Sequence, residues 1–206
     1  IKNGNVKLNQ QPILDPSYLV RENDRFEVSI IISNEVKYVG EDIKLNIIYE
    51  DNDLIIINKQ AGIVTHPAPG NETGTLVQAL LHHSKNNLSD INGNNRPGIV
   101  HRLDKNTSGV MVIAKNNYTH VKLAEQFKVH SITRKYQALV WGLPNKKTIE
   151  GYIERHKFNR KKMSLNNSGD GKYSKTDINL IKSYHNASLI ECSLHTGRTH
   201  QIRLHL

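Results

Sequence analysis

One carboxylate, Asp104, stands among basic residues, with Arg102 before it and Lys105 after it. Neighbouring cations favour the charged form of a carboxylate, so Asp104 is expected to stay ionised. An ionised carboxylate suits a nucleophile, a base or an electrostatic stabiliser better than a general acid. The alternative is structural: an N-cap or turn aspartate paired with Arg102. The turn before Gly109 places Asp104 on a loop, where functional groups concentrate.

The last twelve residues carry a second group of polar side chains. The group comprises His195, Arg198, His200, Arg203 and His205. Histidines five positions apart point in different directions on a strand or a helix, and no acidic partner lies close by. A metal site is therefore not expected. If the segment is a strand, its two arginines also lie on opposite faces, and one of them can line a cleft.

A third candidate is Tyr136, in an apolar stretch that is typical of a strand and follows Arg134 and Lys135. One interpretation is a half-buried strand tyrosine, and the other is a ring that stacks on a nucleobase. The sequence contains no Walker-type phosphate loop, no HExxH and no GxSxG. The residue patterns alone therefore do not identify a reaction.

The composition favours a polyanionic partner. The chain of 206 residues has 28 basic and 19 acidic side chains, giving a formal charge of +9 and a pI near 9.6, and RNA or DNA is the usual partner of such a surplus. A basic run from 155 to 162 is either a solvated loop or a phosphate contact. The single cysteine, Cys192, excludes an internal disulfide framework. With no spanning apolar segment or signal pattern, the sequence predicts a soluble cytoplasmic protein.

The elements that must position these residues follow from hydrophobic periodicity. Two apolar runs around residues 50–53 predict a hairpin, and a helix follows after Thr75. A short apolar strand precedes an amphipathic helix whose apolar face is predicted from Val121, Ala124 and Phe127. Beyond the strand of Tyr136, the alternation predicts two long strands from 175 to the end, broken at 184–187. These elements predict an α+β fold with a mixed, mainly antiparallel sheet and flanking helices.

Four stretches in consistent order resemble the RluA-type pseudouridine synthase family. They are HRLDKNTSG (101–109), YEDNDLIIINKQAGIVTHP (49–67), RKYQALVWG (134–142) and HTGRTHQIRLH (195–205). Gln60 stands where a proline is common in the family. The resemblance covers about residues 45–206 and implies a catalytic domain with a central cleft. It also suggests that this domain is cut at its C-terminal end.

The resemblance implies a role for each matching residue. Asp104 would be the catalytic carboxylate, Arg203 its ionic partner, and Tyr136 the ring that stacks on the target base. Arg102 would fill the gap left in the RNA by a flipped nucleotide. No cofactor or metal is implied. The other residues expected to contact RNA are His101, Lys105, Arg198, Arg160, Lys161 and Lys162.

Residues 1–33 resemble the closing part of the small α-L RNA-binding module known from ribosomal proteins, and residues 34–44 read as a linker. Large-subunit rRNA is therefore the first expected substrate and tRNA the second. The main alternative is an RNA-binding or ribosome-assembly protein that uses the same fold without catalysis. A metal-dependent nuclease is a further alternative.

Overall fold

The computed structural model describes residues 1, 4–29, 38–85, 87–93, 95–160 and 162–206. The chain divides into two compact units, Ile1–Tyr38 and Val39–Leu206. No helix of the described residues is both long enough and apolar enough to cross a membrane.

The first unit contains a small antiparallel sheet. Its strands are β1 (Val6–Leu8), β2 (Gln11–Pro12) and β3 (Phe26–Val28), in the order β2-β1-β3. Asn9 and Gln10, both with positive φ, make the tight turn between the first two strands. All three strands are exposed or only half-buried, so this sheet contributes little core of its own.

In its described residues the second unit contains two sheets and three helices. Its elements are β4 (Ile47–Glu50), β5 (Leu54–Lys59), α1 (Leu76–His83), β6 (Gly109–Ala114), α2 (Asn117–Lys128), β7 (Lys135–Trp141), β8 (Thr148–Arg155), β9 (Met163–Asn166), β10 (Lys172–Ser183), β11 (Ala187–Leu194) and α3 (Gln201–His205). The sheet orders are β4-β5-β6 and β7-β11-β10-β8-β9. Every strand pair in the described residues is antiparallel. The α+β class is confirmed, with two antiparallel sheets where one mixed sheet was predicted.

The smaller sheet carries the predicted hairpin and leads to the loop of Asp104. The Asp51 carboxylate accepts hydrogen bonds from the backbone N–H groups of Asp53 and Leu54, each at 2.8 Å, and so fixes the turn. Strand β5 then pairs with β6 in a register that sets Lys59 opposite Gly109. The end of β5 therefore lies beside the point where the Asp104 loop enters β6.

The two predicted helices form, with one correction. Helix α1 begins with a capping box between Thr75 and Gln78 and buries most of its residues. In α2 the predicted apolar face forms only at Phe127, whose ring stacks on that of His101; Val121 is 54% exposed, and the one buried residue of the helix is His120. The His120 ring contacts Asn92, with Nε2 3.1 Å from the side-chain nitrogen of Asn92. The inward face of α2 therefore combines a polar contact at His120 with an aromatic contact at Phe127.

Residues 39–44 pack against α1. The Glu41 N–H donates to the carbonyl of Gln78 at 3.0 Å, and the Glu41 carboxylate accepts from the backbone of Gly74. This half of the predicted linker is thus held against the helix. Residues 34–37 lie outside the described residues.

The larger sheet is built on a long hairpin. Strands β10 and β11 pair along most of their length, and the break predicted at 184–187 is their turn, where the Tyr184 N–H donates to the carbonyl of Ala187. Ile178, Ile190 and Cys192 form the buried core against this sheet. The predicted continuation of the strand to the end of the chain is wrong. After Leu194 the backbone turns, passes through a left-handed residue at His200, and forms α3.

Candidate active site

Backbone contacts on both sides hold the loop that carries Asp104. The Thr65 hydroxyl donates to the carbonyl of Leu103 at 3.0 Å, and the Gly62 N–H donates to the carbonyl of Lys105 at 2.8 Å. The Thr107 N–H closes a turn on the carbonyl of Asp104 at 3.1 Å. The Asp104 side chain is 26% exposed. The carboxylate therefore sits on a fixed loop and remains open to solvent.

The cation that faces Asp104 comes from α3. Arg203 Nη1 lies 3.3 Å from one carboxylate oxygen of Asp104, and His200 Nε2 lies 3.9 Å from the other. The sequence neighbours of Asp104 point elsewhere: Arg102 contacts His66, and Lys105 donates to the side chain of Asn71 at 3.1 Å. The Asp104–Arg102 turn pair considered from the sequence is not formed. The structure instead brings Asp104 and Arg203 together across 99 positions of sequence.

Asp104 lines a cleft of about 530 Å³ between its loop, β7 and α3. The charged and aromatic side chains in its wall are Arg102, Asp104, Tyr136, Arg198, His200 and Arg203. Ala138, Val140 and Leu194 supply an apolar surface. A pocket of this size, apolar with a few converging polar groups, suits a small organic ligand such as a nucleoside.

Tyr136 combines burial with proximity to charge. Burial raises the pKa of the Tyr136 hydroxyl, the guanidinium of Arg134 lowers it, and Asp104 raises it further. The hydroxyl therefore keeps its proton at neutral pH, and the ring forms part of the cleft wall. A protonated tyrosine at this place can stack on a planar ligand and donate a hydrogen bond.

Comparison with known proteins identifies the fold family of this cleft. The model of the RNA pseudouridylate synthase family matches residues 53–206. The chain belongs to the RNA pseudouridylate synthase family. The membership expected from the four sequence stretches is confirmed.

Relatives in the family include two curated bacterial proteins and a solved human structure. The chain is 44% identical to the ribosomal large subunit pseudouridine synthase D of Zymomonas mobilis, and the alignment covers all of this chain and 66% of that protein. It is 41% identical to an uncharacterized RNA pseudouridine synthase of Bacillus subtilis, with all of this chain and 67% of that protein covered. Human RNA pseudouridylate synthase domain containing 1 shares the fold, with a TM-score of 0.62 and 24% identity over 81% of this chain and 65% of that structure. The chain spans about two thirds of the length of the curated relatives.

Four residues in or near this synthase-family cleft were not singled out from the sequence. They are Lys59, His66, Arg134 and Gln201. Lys59 is 1% exposed, and its ammonium donates to the carbonyls of Gln60 and Ile63 at 2.9 Å and to that of Lys105 at 3.3 Å. Burial lowers the Lys59 pKa, and Asp104 opposes that shift. Lys59 continues the period-two series of Ile55 and Ile57, which is the signal that could have marked it as buried.

His66 holds the side chain of Arg102. The ring is 8% exposed, and burial, followed by Arg102 and Arg96, lowers its pKa to about 4. The imidazole is therefore neutral at pH 7, and its Nε2 lies 3.4 Å from Arg102 Nη1. A neutral ring can accept from the guanidinium, so His66 orients Arg102 in the cleft wall.

His101 faces the protein interior. Its Nε2 accepts from the backbone N–H of Val112 at 3.1 Å, and its ring stacks on Phe127 with centroids 4.5 Å apart. Burial, reinforced by Arg134, lowers its pKa to about 4. These contacts give the His101 ring a packing role, and the RNA contact predicted for His101 stays a prediction.

The remaining predicted RNA contacts lie in two places. Arg198 lines the cleft, and its Nε donates to the carbonyl of Tyr173 at 2.8 Å. Arg160 and Lys162 belong to the loop between β8 and β9, at the opposite edge of the larger sheet from β7. Lys161 lies outside the described residues. Neither Arg160 nor Lys162 lines the cleft.

The three C-terminal histidines have separate partners. His195 Nε2 lies 2.6 Å from a carboxylate oxygen of Asp177, and His205 contacts Ser174 and Thr176. Within the part of the chain that the structure describes, no three histidine, cysteine or acidic side chains cluster closely enough to hold a metal ion.

Proposed function

We propose that this protein is an RNA pseudouridine synthase that uses Asp104 as its catalytic carboxylate. One observation carries the proposal: a partly exposed carboxylate, 3.3 Å from a guanidinium, stands in a nucleoside-sized cleft beside a half-buried tyrosine. In the reaction the bond between C1′ of the ribose and N1 of uracil breaks, and a bond between C1′ and C5 forms. The C5 proton leaves and N1 gains a proton, so the reaction is an isomerisation without a redox step.

Asp104 acts in its ionised form by either of two routes. It attacks C1′ as a nucleophile, or it removes a sugar proton to give a glycal. Arg203 faces the carboxylate at 3.3 Å and compensates changes of charge during the reaction. Because both routes start from a carboxylate, the same ion pair serves either of them.

Tyr136 contacts the target base, and Arg102 contacts the RNA stack. Chemistry on a paired uridine requires that the nucleotide leave the helix. The Tyr136 ring stacks on the uracil in the cleft, and Arg102, oriented by His66, occupies the space that the nucleotide vacates. Arg198, Lys105 and the basic loop of Arg160 and Lys162 contact phosphates.

The RNA substrate is proposed to be large-subunit rRNA, with tRNA as the second candidate. The name of the Zymomonas mobilis relative supports this choice. The likeness of residues 1–33 to an α-L RNA-binding module supports it as well. The formal charge of +9 fits a polyanionic substrate. A cytoplasmic location remains a prediction from the sequence.

Tritium release from RNA labelled at uridine C5 tests the proposed function. Asp104→Asn should reduce release by at least ~10³-fold while RNA affinity changes by less than about threefold. Asp42→Asn is the matched control, because Asp42 is a 92% exposed carboxylate outside the cleft. It should retain full activity.

Two results would contradict the proposal. Wild-type protein that releases no more tritium than Asp104→Asn, on rRNA and tRNA transcripts alike, would support the non-catalytic binding protein. RNA cleavage that stops on addition of EDTA would support the nuclease. Intact RNA with pseudouridine at the labelled positions is the expected product.

A further inference from the structure

A second cavity adjoins the catalytic cleft. Its volume is about 320 Å³, and it shares Arg102, Asp104, Tyr136 and Arg198 with the first cavity. Its remaining wall includes Arg134. A ligand in the cleft beside Asp104 can therefore extend into this second space.

The second cavity is strongly cationic. Three guanidinium groups, those of Arg102, Arg134 and Arg198, face one carboxylate, and that carboxylate is already paired with Arg203. The His101 ring in the wall is neutral at pH 7, so it adds no positive charge. A cavity with this charge favours an anion, and guanidinium forks match the oxygens of a phosphodiester.

Arg134 carries unused hydrogen-bonding capacity. Its Nη2 donates to the carbonyl of Leu194 at 3.3 Å and lies 3.0 Å from His130 Nδ1. Among the described residues neither Nε nor Nη1 has a hydrogen-bond acceptor. Because Nε is shielded from solvent, Nη1 is the unpaired donor that an acceptor from a ligand can reach.

Gly197 leaves the guanidinium of Arg134 uncovered. A Cβ at this position would come within 2.8 Å of Arg134 Nη1. Any larger residue would displace the guanidinium or cover the cavity side of Nη1. The loop that carries Arg198 therefore approaches Arg134 closely while leaving the donor open.

We propose that the second cavity binds one backbone phosphodiester next to the target uridine, with Arg134 and Arg198 as its ligands. This subsite rests on the proposed function, because the uridine must occupy the cleft of Asp104. The competing explanation is that Arg134 only tethers the backbone at Leu194 and Gly197. The two explanations differ in whether the charge of a single phosphate affects RNA binding.

The test uses a five-nucleotide RNA with one central uridine and neutral methylphosphonate linkages introduced one at a time. Binding to the full chain is measured by fluorescence anisotropy. Neutralising one linkage that flanks the uridine should weaken binding to the wild type about tenfold. Neutralising a distal linkage should weaken it less than about threefold, because screening reduces distant charge effects.

A substitution of Arg134 then tests whether this residue contacts the flanking phosphate. In Arg134→Gln the tenfold cost of the flanking methylphosphonate should fall below about twofold, since the phosphate has lost its partner. Lys135→Gln is the matched control: Lys135 is adjacent in sequence, 57% exposed and paired with Glu191 at 2.9 Å. Lys135→Gln should keep the full tenfold cost.

An equal cost at all four linkages in the wild type would overturn the subsite, and so would a tenfold cost that persists in Arg134→Gln. If Arg134→Gln fails to fold, the comparison of the four linkages in the wild type still decides whether the phosphate subsite exists. The scan measures binding without turnover. A protein that releases tritium but gives a uniform scan therefore loses only the phosphate subsite, whereas failure of tritium release concerns the proposed function.

Discussion

Among the described residues, the guanidinium closest to the Asp104 carboxylate is that of Arg203, which is itself 65% exposed. An ion pair with this much solvent contributes little to folding. The same pair gains importance when a substrate fills the cleft and excludes water, because the local dielectric constant falls. The Asp104–Arg203 contact is therefore expected to serve the reaction rather than stability.

Replacement of Arg203 tests this separation. Arg203→Ala should lower turnover by about 10²-fold, because the charge facing Asp104 is lost. RNA affinity should change less than about threefold. Arg203→Lys should recover part of the turnover, since an ammonium restores the charge without the planar fork. Single-turnover kinetics with separate binding titrations measure both quantities, and a tenfold affinity loss with normal turnover would contradict the assignment.

Loss of His66 should affect the positioning of Arg102. His66→Leu removes the only acceptor that the described residues offer to Arg102, so the single-turnover rate should fall by about tenfold. His66→Gln retains a side-chain acceptor and should lose less than about threefold. His82→Leu makes the same substitution at a 53% exposed histidine and should keep the wild-type rate. Equal rates in His66→Leu and His82→Leu would exclude a positioning role.

At the scale of elements, Gln201 determines how the last segment folds. Its Oε1 accepts from the Thr196 hydroxyl and the Arg198 N–H, and its Nε2 donates to the Lys175 carbonyl and the Thr176 hydroxyl. These four hydrogen bonds lie at a side chain that is 2% exposed. They fasten the turn and the start of α3 to β10. Arg198 and Arg203 are thereby held on the wall of the cleft.

Gln201→Leu should destabilise the protein and displace both arginines. Four partners lose their hydrogen bonds at a buried site, so the free energy of unfolding should fall by roughly 2–4 kcal/mol. Gln126→Leu makes the same change on an exposed face of α2 and should stay within about 0.5 kcal/mol of the wild type. Urea denaturation measures both variants. A Gln201→Leu protein as stable as Gln126→Leu would contradict the anchoring role.

The sequence predicts elements well where local pattern and tertiary contacts agree. The hairpin of β4 and β5 and the helix after Thr75 depend on neighbouring residues, and both form as expected. Helix α3 was missed because an apolar alternation of six residues fits a strand until the contacts of Gln201 are known. The inward position of His120 on α2 was missed for the same reason, since its partner Asn92 is distant in sequence.

The residues of the candidate site also divide into those that local sequence predicts and those that depend on tertiary contacts. Asp104, Tyr136 and Arg203 lie in contiguous stretches that resemble a family, so they could be named from the sequence. The interior contacts of His101, with Val112 and Phe127, and the buried ammonium of Lys59 depend on register and packing. Sequence spacing contains no information about the His101 contacts, and the period-two series at Lys59 indicates its burial without indicating which carbonyls its ammonium contacts.

At the scale of the whole molecule, several histidines are built into the fold in neutral form. Burial lowers the pKa of His66 and of His101 to about 4, and it lowers the pKa of His120 and His205 as well. In the unfolded chain a histidine titrates near 6.5. Between pH 6.5 and about 4 the unfolded state therefore binds more protons than the folded state.

The free energy of unfolding should consequently fall as the pH drops from 6.5 towards 4. Above pH 6.5 the contribution of these histidines to stability should be complete. Each such histidine contributes up to ~1.4 kcal/mol per pH unit in this window. His101→Gln removes one titrating group, so its dependence on pH should be shallower than that of the wild type by up to that amount. Urea denaturation at pH 5, 6, 7 and 8 measures both slopes. Equal unfolding free energies at pH 5 and pH 7 in the wild type, or identical slopes in the two proteins, would show that these rings are not held neutral by the fold.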